Sequence, residues 1–425
     1  MFRRFISVLS LVVLCSVYCF SQKDYEVNIE NDAVHRYMEE VNYVHGQESV
    51  LSNYLTDEGK NLDCPAGIVI DLPRVRIDTL KVICYVKSTL SDTLSFFIAP
   101  DIVRASLYNF IPNETYEYKI YLRNLLLQQG TIKTEGQVRM IRVDGTVKNV
   151  RDLGGWPTIT GQRIKYGKLI RGSELNWEHN ATAEGLNMLR QIGVEAEIDM
   201  RAHWEAIDKS GNHPETEGVS VFGFQNAAST PSGETATYLY TKDSGQLPEN
   251  LGTYQWQNKW KQEFDFIVNN LIMERCIYYH CIHGKDRTGY LSLLLEGLLG
   301  VEYSDLIKDY ELSYFSFKSE SKKNEIDEVI AYINKLSGET LRDKFNTYFI
   351  TKIRARQADI DYFRSVMLDG EADEGGIITK VDERVAKSNK HAISDLSGRR
   401  IGNKHLHGLY LMNDGQGGYR KMFLK

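Results

Sequence analysis

Apolar residues return at helical spacing three times in the second half of the chain. Trp256, Trp260, Phe264, Ile267 and Leu271 mark one face of a helix. Leu291, Leu294, Leu295, Leu298 and Leu299 predict a helix buried nearly all round, with Gly300 as its stop. Ser304-Asp305 then reads as the N-cap and first turn of another helix, and Ile326, Val329, Ile330 and Ile333 as a further amphipathic helix ended by Gly338. The short apolar run Cys276-Ile277-Tyr278-Tyr279 reads as a strand between the first two helices. Strands and helices alternate over 141–369, which predicts an α/β domain with a largely parallel central sheet. Over 63–140 the pattern changes to short alternating runs: 66–70, 82–86, 95–98 and 116–122. These predict a small all-β sandwich ahead of the α/β domain.

The ends read differently. Arg3-Arg4, an apolar stretch from Phe5 to about Phe20 and then Ser21 have the form of a signal peptide, residues 1–21. With it removed, no transmembrane span is expected, and the chain is placed in the periplasm, on the surface or outside a Gram-negative cell. Cys15 and Cys19 lack the small preceding residue that lipidation needs. Residues 22–62 are polar with scattered aromatics and suggest no role. Residues 370–376, Gly-Glu-Ala-Asp-Glu-Gly-Gly, read as a linker, and 377–425 as a C-terminal β-tail. The 425 residues are 42% apolar and 25% charged, with net charge −6, so nucleic acid is not expected as a partner. Cys64 and Cys84 could pair in an oxidising compartment or stay as buried thiols.

The chemistry concentrates in His280-Cys281-Ile282-His283-Gly284-Lys285-Asp286-Arg287-Thr288-Gly289. A strand feeds this stretch and it opens a helix, so backbone N–H groups can converge at the positive helix end and hold a tetrahedral dianion. Arg287 can offer a bidentate fork to two phosphoryl oxygens. A free thiol is mostly protonated near neutral pH, but helix N-termini and nearby cations bring thiols down to roughly 3.5–7.5. The layout supplies both, which suits Cys281 as nucleophile. The amides and guanidinium carry the charge that a metal would otherwise neutralise, so neither metal nor cofactor is called for. His280, Cys281 and His283 are too closely packed for a zinc set. Gly284-Lys285 is followed by Asp286, which breaks the Walker A pattern.

The stretch resembles the phosphate-binding loop of the cysteine-based phosphatases, whose signature is Cys-x5-Arg. Asn149-Val150-Arg151-Asp152-Leu153-Gly154-Gly155, Leu169-Ile170-Arg171-Gly172-Ser173-Glu174-Leu175, Ile198-Asp199-Met200-Arg201 with Glu205, the loop, and Asp309-Tyr310-Glu311-Leu312-Ser313 follow in order. Together they resemble the bacterial atypical tyrosine phosphatases with an HCxxGKDRTG loop. Arg171-Gly172 departs from the usual Arg-Ser. The resemblance implies a cysteine-phosphatase-like sheet flanked by helices and activity on phosphotyrosine, often phosphoserine/threonine, and in some members phosphoinositides. A phosphorylated protein or a phosphoinositide is therefore the expected substrate; the oligomeric state is left open.

On that resemblance Cys281 is the nucleophile, Arg287 the phosphate clamp and Thr288 a hydrogen-bond donor to the leaving sulfur. His280, Ile282, His283, Gly284, Lys285 and Gly289 complete the loop, and Arg151, Asp152 and Arg171 line or brace its mouth. Some carboxylic acid must protonate the leaving oxygen. Asp286 matches the place of the acid in the myotubularin-like lipid phosphatases. Asp199 is the second choice, with a salt bridge to Arg201 as its structural alternative, and Asp208 and Asp243 follow. Lys285 could accept a second phosphate, as inositol phosphate enzymes use such a lysine, or be solvated. Cys276 is either a core residue or a resolving thiol for Cys281. Residues 107–121 are similar to a turn and strand of fibronectin type III domains, and 393–400 with 407–411 to the last strands of type IX secretion sorting domains. A thiol oxidoreductase and a non-catalytic phosphate-binding surface module are the rival readings.

Overall fold

The computed structural model describes residues 21–39, 54, 62–73, 78–88, 93–202, 220–224, 236–241, 250–317 and 323–370, with three short strands of the tail. Residues 1–20 of the expected signal peptide 1–21, most of the expected linker, Asp208 and Asp243 lie outside the described residues.

The N-terminal elements are β1 (Ser21–Gln22), β2 (Tyr25–Asn28), α1 (Asp32–Met38), β3 (Ile68–Asp71), β4 (Leu80–Val86), β5 (Thr93–Ile98), β6 (Arg104–Leu107), β7 (Thr115–Leu122) and β8 (Leu125–Glu135). β1-β8-β7-β4-β5 form one sheet, to which β2 adds beside β8, and β3-β6 form a second. Strict alternation in β4, with Leu80, Val82, Cys84 and Val86 inward, buries one face, as a half-buried strand requires. The Tyr116 hydroxyl accepts from the Ile111 N–H at 2.9 Å, the corner contact that closes many sandwich domains.

The α/β domain carries β9 (Arg151–Asp152), β10 (Arg163–Ile164), β11 (Leu169–Gly172), α2 (Ala183–Gln191), β12 (Val194–Asp199), β13 (Tyr238–Tyr240), α3 (Tyr254–Ile272), β14 (Cys276–His280), α4 (Asp286–Leu299), α5 (Tyr303–Phe317), α6 (Lys323–Ile333), α7 (Leu341–Tyr348), α8 (Gln357–Met367) and β15 (Leu368–Asp369). Its sheet runs β13-β12-β14-β11-β9, parallel except for the β9 edge. The expected helices are present. α4 is buried from Thr288 to Leu299 and stops at Gly300, whose φ is 95°. Two expected boundaries shift: α5 begins at Tyr303, so Ser304 lies within its first turn, and α6 ends at Ile333, short of Gly338. A π-helical turn, Phe349–Ile353, joins α7 to α8. In the tail β16 (Ile393–Ser394), β17 (Gly408–Asn413) and β18 (Tyr419–Leu424) pair antiparallel.

The two faces of the central sheet join different cores. Ile277 and Tyr279 of β14 pack among α3 and α4, whereas Cys276 and Tyr278 share a cluster with Ile170, Val194 and the interior of the β-sandwich. Residues 22–39 of the N-terminal segment also have a place. β2 extends the sandwich sheet, and Tyr37 of α1 is buried and donates to Glu311 Oε2 of α5 at 2.7 Å. Among the described residues no helix is long and apolar enough to cross a membrane.

Candidate active site

β14 ends at His280 and α4 begins at Asp286, so the intervening residues form a loop at the C-terminal edge of the parallel strands. This is where open α/β sheets bind ligands. Cys281 is 3% exposed at the base of the loop. His280 is fully buried, with Nε2 3.1 Å from Glu197 Oε1 and Nδ1 3.1 Å from the Cys281 carbonyl oxygen. Glu197 in turn accepts from the Ser220 hydroxyl. His280 therefore shapes the loop from behind.

The loop carbonyls are held from outside. The Glu174 N–H donates to Ile282 O at 2.9 Å. Asn149 Nδ2 donates to His283 O at 3.2 Å and to Gly284 O at 2.8 Å. Arg171 Nη2 donates to Gly284 O at 3.0 Å. In a planar trans peptide the carbonyl and the next residue's N–H point in opposite directions. With the carbonyls of residues 282–284 fixed outward, the N–H groups of His283, Gly284 and Lys285 face inward. Gly284 has φ 63°, and a Cβ there would stand 2.2 Å from the Gly172 carbonyl oxygen, so only glycine allows this approach. Gly172 itself, the departure from Arg-Ser, leaves room for Tyr278: a Cβ would meet the Tyr278 hydroxyl at 2.2 Å. Gly289 lies against the Tyr310 ring.

Behind the loop sits a buried ion cluster. Asp309 Oδ1 faces Arg151 Nε at 3.0 Å and Asp309 Oδ2 faces Arg171 Nη1 at 2.7 Å. Arg151 also donates to Asn149 Oδ1 at 2.6 Å. Burial raises the Asp309 carboxyl, but the two guanidiniums outweigh it and hold the pKa below the ordinary value. Glu296 lies nearby, fully buried, and neither carboxyl oxygen has a hydrogen-bond partner among the described residues. Burial and then the Asp309 charge push its pKa well up. Two guanidiniums against one carboxylate leave one positive charge behind the loop, which favours an anion in front of it.

Arg151, Asp152 and Arg171 are expected to line or brace the mouth, and their burial in ion pairs favours bracing over lining. Arg151 and Arg171 are fully buried and position the loop. Asp152 faces Arg139 Nη1 at 3.0 Å, and Arg139 also donates to Asn109 O and Phe110 O, so this pair joins the sandwich to the α/β domain.

Asp199 is fully buried and chelated by Arg201, with Oδ2 2.6 Å from Nη2 and Oδ1 3.0 Å from Nε. Burial raises its pKa, yet Arg201 and then His280 win and bring it to about 2. A carboxylate held ionised in this way is a poor proton donor, so the salt-bridge alternative describes its place. Arg201 also reaches Glu174 Oε2 at 3.0 Å. Asp286 is half-exposed at the start of α4, and the Tyr310 hydroxyl donates to its Oδ1 at 3.0 Å. Lys285 sets its ammonium 5.1 Å from the Tyr314 ring centroid and 3.8 Å from Asp286 Oδ2. Arg287 Nη1 reaches the Met200 carbonyl at the end of β12, 3.3 Å away. Thr288 Oγ1 is buried without a hydrogen-bond partner among the described residues. Burial lowers the pKa of half-exposed His283 on the rim.

The sequence profile of the tyrosine phosphatase family matches residues 141–369, more than half of the chain. The chain belongs to the tyrosine phosphatase family. A Cupriavidus necator protein whose name assigns it provisionally to the tyrosine-protein phosphatases is 28% identical over 183 residues, 39% of this chain and 60% of that protein. The triple specificity protein phosphatase PtpB of Mycobacterium tuberculosis is 24% identical over 186 residues, 38% of this chain and 65% of that protein. A tyrosine-protein phosphatase of Nostoc commune is 22% identical over 174 residues, 40% of this chain and 56% of that protein. The chain thus spans less than two thirds of each relative.

In this tyrosine phosphatase family domain the sequence leaves Glu197 and the Glu296 site unsignalled, while Glu174 stands within the motif over 169–175. Asp309 and Tyr310 stand within the quoted Asp309–Ser313 motif, although nothing in it assigns them to the loop. Cys276 is buried on the sandwich side of the sheet and burial pushes its thiol up, whereas Cys281 belongs to the helix-side core. Five residue steps along β14 and just past its end separate the two by roughly 17 Å, far beyond disulfide reach. The resolving-thiol reading fails, and with it the paired-cysteine oxidoreductase. Among the described residues no disulfide joins Cys64, Cys84, Cys276 and Cys281.

Proposed function

We propose that this chain is an exported, cysteine-dependent phosphatase that hydrolyses phosphomonoesters on protein, phosphotyrosine first and phosphoserine/threonine as well. The Cys281 thiolate attacks phosphorus and the bond to the leaving oxygen breaks. Asp286, aimed by Tyr310, supplies the proton that oxygen takes. Water then attacks the phosphocysteine, returns a proton to Asp286 and releases phosphate and thiolate. Arg287 clamps two phosphoryl oxygens, and Thr288 turns its unengaged hydroxyl to the departing sulfur. The observation that carries the reading is the outward fixation of the loop carbonyls by Asn149, Arg171 and the Glu174 N–H, which turns a row of amides inward above a buried cysteine. The names of the relatives support phosphoprotein as substrate.

A phosphoinositide substrate is the second reading, resting on Lys285. Its ammonium is engaged with Tyr314 and Asp286, which favours the protein substrate. Export rests on the leader sequence, and the β-module is read as a fibronectin-like spacer. Hydrolysis of para-nitrophenyl phosphate in EDTA tests the assignment. Turnover is expected to persist without metal and to vanish in Cys281→Ser; unchanged turnover in that variant would remove the proposal.

A further inference from the structure

On the rim of the loop a second cluster stands outside the phosphatase chemistry. Glu178, His179 and His283 bring one ligand atom each to within 4.8 Å of one another. His283 Nε2 and Glu178 Oε2 are 3.6 Å apart. His179 Nδ1 lies 3.1 Å from the Thr146 carbonyl oxygen. A carbonyl can only accept, so Nδ1 carries the proton and Nε2 the lone pair. That Nε2 is sealed from solvent and has no hydrogen-bond partner among the described residues. The segment is also braced. Glu174 Oε1 accepts from the N–H groups of Glu178 and His179 at 2.7 and 3.3 Å, while Arg201 holds its other oxygen. The Phe317 ring packs 5.0 Å from His283 and 5.9 Å from His179, covering one side.

We propose that Glu178 Oε2, His179 Nε2 and His283 Nε2 form a binding site for a divalent transition metal of the zinc class. Two imidazoles and a carboxylate suit such an ion. The His179 Nδ1–H to a backbone carbonyl is the outer contact that orients metal-bound imidazoles. With bonds of about 2.0–2.1 Å, tetrahedral ligand atoms stand roughly 3.4 Å apart. Rotation of the exposed Glu178 and His283 side chains closes the difference. The ion ties His283, inside the catalytic loop, to the segment anchored on Arg201. This site is independent of the chemistry at Cys281.

The full chain carrying Cys281→Ser is the protein to test, because it lacks the thiolate that would bind the same ions. After EDTA treatment and dialysis it is titrated with Zn2+, followed by calorimetry, and with Co2+, followed by its visible spectrum. One equivalent of each is expected, with nitrogen and oxygen ligation and a raised melting temperature. Outer-contact changes cost about 10–100-fold in metal affinity, so loss of a ligand in His179→Ala is expected to cost at least about 100-fold. Glu178→Gln, on an exposed side chain that leaves folding intact, is expected to abolish the melting shift. Absence of binding, or unchanged affinity in both variants, would overturn the proposal.

Discussion

Arg171 and Asp309 meet at 2.7 Å behind the catalytic loop, out of contact with water, and the other arm of the same guanidinium holds the Gly284 carbonyl at 3.0 Å. One residue of β11 thereby links an acidic residue of α5 to the loop peptide. Removing one partner from a buried pair leaves an uncompensated charge and costs about 3–5 kcal/mol. Asp309→Asn is therefore expected to lower urea-unfolding stability by about that amount. It is also expected to reduce kcat more than KM, because two guanidiniums lose the anchor that orients the loop. Intact stability with intact kcat would contradict this role.

Proton donation separates Asp286 from Asp199. Positioned acids contribute about 10²–10⁴-fold. Asp286→Asn is expected to lower kcat within that range for a phenyl phosphate whose leaving group is a poor one. The loss should be much smaller for para-nitrophenyl phosphate. Tyr310→Phe should move in the same direction by less. A leaving-group-dependent loss that appears in Asp199→Asn instead would reverse the assignment.

Asp199 makes a different demand on pH. Its carboxyl is held at about 2 in the folded protein, against an unfolded value of about 3.9. The contribution to stability, about 2–3 kcal/mol, is present above the unfolded value and is lost as pH falls through the folded one. Denaturant unfolding of Asp199→Asn should show a deficit near pH 7 that narrows between about pH 4 and pH 2. A deficit that stays constant over that window would contradict the ion pair.

Glu296 runs the other way. The folded state keeps its proton more tightly than the unfolded chain, so stability is full below the unfolded carboxyl range and declines as pH rises toward the folded pKa. Glu296→Gln is expected to be neutral near pH 4 and more stable than the parent protein by pH 8, in thermal melts at each pH. A variant less stable at pH 8 would show that the carboxylate is needed there.

Much of this was legible in the chain before any coordinates. The helix through Leu291–Leu299 and the strand before Cys281 show because burial on all sides leaves an unbroken apolar run, and Cys281, Asp286 and Arg287 show because short spacing fixes chemistry locally. For Arg151, Asp152 and Arg171 lining and bracing stay open in the sequence, because residue order cannot tell a charge facing substrate from one facing a buried counter-ion. Asp309, the partner of Arg151 and Arg171, lies more than a hundred residues away from both. A separation of 83 residues likewise hides Glu197 behind His280. Residues 22–62 gave no periodic signal, since β2 and α1 are short and take their stability from the β8 strand and the α5 helix on which they dock.

Oxidation tests how isolated the nucleophile is. Peroxide is expected to inactivate the enzyme and a thiol reductant to restore it. Because Cys276 lies on the other face of the sheet, Cys276→Ala should leave both the rate of inactivation and the recovery unchanged. An internal disulfide between the two cysteines, detected by mass spectrometry, would contradict the separation of the two cores.

Acid quenching during turnover, followed by proteolysis and mass spectrometry, asks where the phosphoryl group resides midway through the reaction. It is expected on the Cys281 sulfur, and absent from Cys281→Ser. Phosphorus on any other side chain, or hydrolysis that proceeds with no phosphoenzyme at all, would contradict the account.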